Sequence, residues 1–233
     1  MPLSRRAAIT GLAASAWAVT SVKAAAEPMR IGVIGAGWLG GTVGMAWVQA
    51  GHEVLFSTRH PDRLAAMARE LGPRASVGTP RQAAEFGPVV LVAVPYDALA
   101  GVGRELGEAL RGKVVLDACN PPPGNAEAET KGVGAMSAGH LPGTRLVRAF
   151  SAVDATAVEA SFGGQSRKLG VPLAGDDPEA VRTAAQLVRD AGCEPVVVGD
   201  LAAARSFQRG GPGFRANTAA PDLRRRLGLP EAG

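Results

Sequence analysis

Gly35, Gly37 and Gly40 stand at G-x-G-x-x-G spacing in the run Gly35-Ala36-Gly37-Trp38-Leu39-Gly40, directly after the apolar stretch Ile31 to Ile34. A loop of this kind can bind a pyrophosphate through its backbone amides. Gly35 permits a tight turn, Gly37 lets the amides approach the phosphates, and Gly40 lets the following helix lie close to the strand. The unpaired amides and dipole at the helix N-terminus favour the negative charge. About twenty residues after the first glycine, a site for NAD carries an acid for the ribose 2′-hydroxyl. This chain has Ser57, Thr58 and Arg59 there. Two hydroxyls and a guanidinium suit a 2′-phosphate dianion, and so NADP(H). Glu53, by its alternation phase, falls too early in its strand to be the ribose acid.

A glycine motif alone is weak evidence, so the flanking elements matter. Leu39, Val43, Ala46 and Trp47 give the stretch from Trp38 to Gln49 one apolar helical face, with Gly51 as its stop. His52 to Phe56 alternates as a second strand. Val89 to Val94, Val114 to Leu116 and Leu146 to Phe150 read as buried parallel strands. Helices are predicted over Pro61 to Leu71, from Thr79-Pro80 to about Phe86, and over Asp97 to Leu110 with Asp97 as N-cap. This succession predicts an α/β fold, a Rossmann-type doubly wound, mostly parallel sheet with a small α/β C-terminal extension. The expected division is an NADP-binding domain over residues 29–152 and a smaller acceptor-side domain with a basic tail over 153–233.

Residues 1–26 read as a signal peptide. Arg5-Arg6 precede a weakly apolar stretch to Val19 and an A-x-A site at Ala24 to Ala26, a pattern that resembles twin-arginine export with Ala8 in place of the usual bulky residue. The apolar stretch is too short to span a bilayer, so the expectation is an exported, periplasmic protein without stable membrane insertion once the signal is removed. The alternative is a frayed N-terminal helix of a cytoplasmic protein. Three of the 25 basic residues and none of the 21 acidic ones lie in 1–26, so the net charge falls from +4 to +1 on processing. That balance gives little support for nucleic-acid binding. Arg205, Arg209, Arg215, Arg224, Arg225 and Arg226 cluster near the C-terminus, where a solvated helix face explains most such runs.

Other chemistries find little footing. His52, His60 and His140 lack ligand spacing and the two cysteines are far apart, so no metal site is expected. Cys119 and Cys193 fit a disulfide in an exported protein or two buried thiols, and the reading leans to free thiols. Asp176-Asp177-Pro178-Glu179 reads as acids before a helix N-terminus. The Pro-, Gly- and Ala-rich segment Pro121 to Pro142 is expected to order only over bound cofactor.

Two strand ends supply further candidates, Val94-Pro95-Tyr96 and Asp117-Ala118-Cys119-Asn120-Pro121. Together with IGVIGAGWLG, the STR after strand two, LVRAFSAV, VPLAGDDPEAV and GCEPVVVGDLAAAR, they resemble the NADP oxidoreductases that depend on the deazaflavin coenzyme F420. The resemblance runs from Met29 to about Arg205. It implies that Gly37, Trp38 and Leu39 contact pyrophosphate; Ser57, Thr58 and Arg59 the 2′-phosphate; Val94, Pro95 and Leu99 the ribose and nicotinamide side; and Asn120 and Pro121 the nicotinamide. Tyr96, the chain's one tyrosine, joins this set by position, although a lone phenol there is more often a packed residue. The resemblance also implies hydride transfer between two stacked rings with no side-chain acid or base, a flavin or deazaflavin as small-molecule acceptor, and a possible homodimer.

The chain departs from that family after Gly210-Gly211-Pro212-Gly213-Phe214, where a polar, arginine-rich tail replaces an apolar helix. Arg224 to Arg226 are therefore expected to meet an anionic acceptor. Dehydrogenases acting on imines or β-hydroxy acids share the N-terminal half but need a long helical C-terminal domain, for which this chain lacks room. A non-catalytic exported NADP-binding or docking protein is the second reading. In it, cofactor is loaded before export and held tightly.

Overall fold

A computed structural model describes residues 27–58, 61–164 and 167–231. The expected signal segment and Arg59 lie outside them. The elements run β1 (Arg30–Ile34), α1 (Trp38–Gln49), β2 (Glu53–Ser57), α2 (Pro61–Leu71), β3 (Ala75–Gly78), α3 (Pro80–Phe86), β4 (Val89–Val92), α4 (Tyr96–Leu110) and β5 (Val114–Asp117). They continue with α5 (Ala126–Lys131), α6 (Val133–His140), β6 (Arg145–Arg148), α7 (Ala155–Phe162), β7 (Gly170–Gly175), α8 (Pro178–Asp190), β8 (Glu194–Gly199), a 3-10 helix (Leu201–Ser206) and α9 (Ala220–Arg226).

All eight strands form one sheet in the order β3-β2-β1-β4-β5-β6-β7-β8. Every pairing is parallel except β6 with β7. The chain winds outward from β1 to β3 and then crosses back to β4, so the switch point lies between the C-terminal ends of β1 and β4. β4 and β5 are buried along their whole length because helices cover both faces. One core layer gathers α1, α7 and α8 around Trp47, Phe150 and Leu187, and the other gathers α3, α4 and α6 around Leu99, Leu110 and Val115.

The doubly wound α/β fold expected from the sequence is present, with four corrections to its elements, the first being that β6 ends at Arg148 rather than Phe150. β4 stops at Val92, so Ala93 and Val94 belong to the turn before α4. Asp97 lies in the first turn of α4 rather than at its N-cap, which is Pro95. The segment from Pro121 to Pro142 carries two helices of its own: the Asn125 side chain accepts from the Ala128 amide at 2.8 Å, and Lys131 pairs with Glu127 at 2.9 Å. The sequence Val133-Gly134-Ala135-Met136-Ser137-Ala138-Gly139-His140 conceals α6 because its small residues serve close packing. A Cβ on Gly134 would stand 2.2 Å from the Leu201 carbonyl oxygen.

The expected C-terminal unit does not separate from the sheet: β7 and β8 continue it past β6. Asp177 caps α8, accepting from the Glu179 and Ala180 amides at 2.9 and 3.1 Å, and Arg145 of β6 pairs with it at 2.5 Å. His52 is fully buried. Its Nδ1 accepts from the Met29 amide at 3.1 Å, so Nε2 carries the hydrogen and donates to Asp190 at 3.1 Å. This ties the first strand turn to the end of α8.

Candidate functional site

The turn from β1 into α1 has the shape that its glycines predict, and each glycine has a different cause. Gly35 has φ +95°, and a Cβ there would lie 2.5 Å from the Ala93 carbonyl oxygen. A Cβ on Gly40 would meet the Gly35 carbonyl oxygen at 2.3 Å. Gly37 is different: it is the N-cap of α1, and a Cβ there meets nothing within 4 Å. Protein packing therefore explains Gly35 and Gly40, whereas Gly37 leaves open the space in front of the helix amides. Those amides precede the first intrahelical acceptor, and the first turn of α1 carries no acid. The site thus has the form that a pyrophosphate requires.

That space opens into a cavity of about 520 Å³ between the ends of β1, β2 and β4 and the flank of α4. Its walls include Gly37, Thr58, Pro80, Val94, Pro95 and Glu105. Ala98, Gly101, Val102 and Leu106 also line it and share one face of α4 with Glu105, which makes a mostly apolar wall with one carboxylate on it. Sequence reasoning missed this wall. Its signal was the i, i+3, i+4, i+8 spacing of the small and apolar residues Ala98, Gly101, Val102 and Leu106 in α4.

Ser57 needs a correction. Its side chain is fully buried and its hydroxyl donates to the Val33 carbonyl at 2.9 Å, while its own carbonyl accepts from the Gly35 and Ala36 amides at 3.1 and 2.9 Å. Ser57 therefore braces the glycine turn from within while it also borders the cavity beside Thr58. Glu53 is exposed and pairs in register with Arg30 at the start of both strands, at the opposite end from the cavity.

Trp38, Leu39, Gly40, Tyr96, Leu99, Asn120 and Pro121 are not among the residues that line this cavity, and Pro121 lines a separate one with Gln208 and Arg209. Leu99 is fully buried in the core. Tyr96 turns toward α6, edge-on to His140 with ring centroids 5.9 Å apart, and burial pushes its phenol up. Leu39 packs against the core and offers only its backbone to a phosphate. Trp38 is 67 % exposed beside the helix amides. Its Nε1 donates to Glu159 of α7 at 2.9 Å, and Glu159 also accepts from the Thr42 hydroxyl at 3.0 Å.

The ends of β5 and β6 form a second, differently built region. Asp117 closes β5, Arg148 closes β6, and both are buried. Arg148 Nη1 donates to Asp117 Oδ2 at 2.5 Å and to the Cys119 carbonyl at 2.7 Å, and Nη2 donates to Asn120 Oδ1 at 3.2 Å. Asp117 Oδ1 accepts from the Cys119 amide at 2.8 Å, and Asn120 Nδ2 donates to the Ser151 carbonyl at 2.5 Å. Phe150, which precedes that carbonyl, is fully buried at φ 58°. A bulky residue there is a genuine outlier held by its surroundings. The sequence signal for this network was a charge at the C-terminal end of each strand, Asp117 after Val114-Val115-Leu116 and Arg148 after Leu146-Val147.

The C-terminal arginines disperse. Arg205 donates to the Glu129 and Thr130 carbonyls; Arg209 lies over the Phe214 ring at 4.9 Å and donates to the Pro121 carbonyl at 3.4 Å; Arg215 pairs with Asp154 at 2.7 Å. Arg224, Arg225 and Arg226 sit on α9, which packs on β7 and β8 at the far edge of the sheet from the β1–β4 cavity. The structure therefore does not bring the last three to the nucleotide cavity. Cys119 and Cys193 are free, buried thiols, and burial pushes both pKa values up, that of Cys193 to about 11. Among the described residues no group of three or more metal-ligating side chains converges, and no helix is long and apolar enough to cross a membrane.

Comparison with known proteins agrees with this geometry. Residues 30–121 match the family model described as NADP oxidoreductase, coenzyme F420-dependent. The chain is 28% identical over 185 residues to the metalloreductase STEAP3 of Rattus norvegicus, covering 78% of this chain and 36% of that protein. The chain thus spans about a third of that relative's length. A putative F420-dependent NADP-reductase from Arthrobacter sp. FB24 superposes with a TM-score of 0.65 at 24% identity, covering 76% of this chain and 88% of that one. An imine reductase from Myxococcus stipitatus, solved with NADP+, gives a TM-score of 0.59 at 20% identity over 77% of this chain and 57% of its own. These likenesses establish the Rossmann fold. Over residues 30–121, the segment that builds the glycine turn and the cavity, the chain matches the family of F420-dependent NADP oxidoreductases that its motifs resemble.

Proposed function

We propose that this protein binds NADP(H) in the β1–β4 cavity and passes a hydride between it and a flavin or deazaflavin-type acceptor. The observation that carries the reading is Gly37: an open position over the amides of α1, unexplained by packing, that leads into a cavity with Thr58 where an NAD site would place an acid. The amides of Gly37, Trp38 and Leu39 would hold the pyrophosphate, Thr58 and Arg59 the 2′-phosphate, and the α4 face the adenine. Val94, Pro95, Asn120 and Pro121 would flank the ribose and nicotinamide. The bound cofactor supplies the hydride chemistry, so the protein's task is to bind, orient and exclude water.

No general acid is assigned. Tyr96 is turned into the core and its phenol is raised, which suits a packed residue rather than a proton donor. Anaerobic mixing of the protein with NADPH and each of FMN, FAD and the deazaflavin F420 tests the reading. Loss of the reduced-nicotinamide absorbance with one of them is expected. Absence of NADPH binding would refute it, while tight binding without turnover would favour the non-catalytic alternative. Export is proposed on residues 1–26 alone. Fractionation of cells making the full chain should recover a processed form outside the cytoplasm, and an unprocessed cytoplasmic form would refute that proposal.

A further inference from the structure

The geometry points to Arg148 as a positioning residue that fixes the Asn120 amide at the C-terminal edge of β5, next to the β4 end that borders the cavity, where a nicotinamide reaching out of that cavity would extend. This inference rests on the NADP reading above. Arg148 and Asp117 together make four hydrogen bonds to the 117–120 turn and to each other, and Asn120 carries the clamp on to the Ser151 carbonyl. The donor set decides the orientation of the amide: Oδ1 must face the guanidinium, because Nδ2 could not accept from it. One lone pair on Oδ1 and one hydrogen on Nδ2 then remain, both in fixed directions, for a ligand at this half-buried position.

The network is not explained by stability. A buried ion pair recovers little beyond its desolvation cost, and apolar residues of similar volume often serve the fold as well or better. Here the cost is increased, because Arg148 Nε is buried with no partner among the described residues. What the pair does provide is register. It fastens the turn after β5 to the turn after β6, across 31 residues of chain, and holds the strained Phe150 backbone beside it. A site that must present one ring face to a second ring needs that rigidity.

The test separates the two ends of the cofactor by comparing NADPH with adenosine 2′,5′-bisphosphate, which lacks the nicotinamide. Calorimetric titration would be done on the wild type, on the double variant Asp117→Leu with Arg148→Met, and on Asn120→Ala. The double variant is expected to bind the bisphosphate within about twofold of the wild type and to lose up to about tenfold of its NADPH affinity, the size of one neutral amide hydrogen bond. Asn120→Ala should show the same selective loss, and adding it to the double variant should change little further, since both act through one amide. Equal changes for both ligands, or none, would overturn the inference. Should the double variant fail to fold, Asn120→Ala decides alone: NADPH affinity like that of the wild type overturns it. Wild-type protein that binds neither ligand would overturn the NADP reading and this inference with it, whereas binding of both by the wild type isolates the question to Arg148.

Discussion

The two ends of the proposed cofactor cleft are built in opposite ways. At the β1–β4 end, recognition is backbone chemistry: a glycine turn, helix amides and an open cavity beside α4. At the β5–β6 end it is side-chain chemistry: a buried Arg148–Asp117 pair that orders one amide. The first end asks little of the side chains around a few glycines, because any residue except proline supplies an amide N–H. The second depends on particular side chains meeting across the sheet. The family match over residues 30–121 takes in the first end and the 117–120 turn of the second, while Arg148 lies beyond it.

The comparison is most severely tested at Gly37. Gly37→Val adds atoms where no protein atom lies within 4 Å, so the fold should be kept, yet it fills the place of the phosphates. NADPH affinity should fall about a hundredfold or more, as expected for losing more than one charge-assisted hydrogen bond, while the thermal midpoint stays near that of the wild type. Titration and a melt together check it. Gly40→Ala makes the contrast, since its Cβ would meet a backbone oxygen at 2.3 Å and should lower the midpoint itself.

A smaller effect is expected at the 2′-phosphate. Arg59→Ala should erode the preference for NADPH over NADH by about ten- to a hundredfold. Ser57→Ala should leave that preference unchanged and cost about 1 kcal/mol of stability through the lost bond to Val33. Competition titrations with both nucleotides distinguish the two; a large change of preference in Ser57→Ala would return the hydroxyl to the ligand.

Farther along the sheet, the link between β6 and α8 titrates. Hydrogen bonds from Arg145, then those from the α8 amides, hold the Asp177 carboxyl well below its ordinary value of 3.8. A depressed pKa gives stability that is fully present above the unfolded value and is lost as pH falls through the folded one. Asp177→Asn should therefore lower the thermal midpoint at neutral pH, with the gap to wild type closing below about pH 4. A gap that does not depend on pH would show that capping alone matters. The smallest effect concerns the thiols. With both pKa values raised by burial, the native protein should resist iodoacetamide at pH 8 and yield two labelled cysteines only on unfolding.

The sequence by itself determined the nucleotide end. Strand, glycine turn, helix and second strand are local in the chain, and their periodicity and sterics act over a few residues, so Gly35, Gly37, Gly40 and the absence of an acid at Ser57 to Arg59 could be read directly. The capped starts of α3 and α8 were legible for the same reason. Tertiary structure decided what depends on direction and distance. Whether Ser57 faces the ligand or Val33, whether Leu99 and Tyr96 face the cavity or the core, and whether Arg148 meets Asp117 are set by the twist and register of strands far apart in the chain. α6 escaped notice because glycine and alanine chosen for close packing carry no hydrophobic period. A side chain's type limits what it can do, but only the packing of distant elements fixes which partner it does it with.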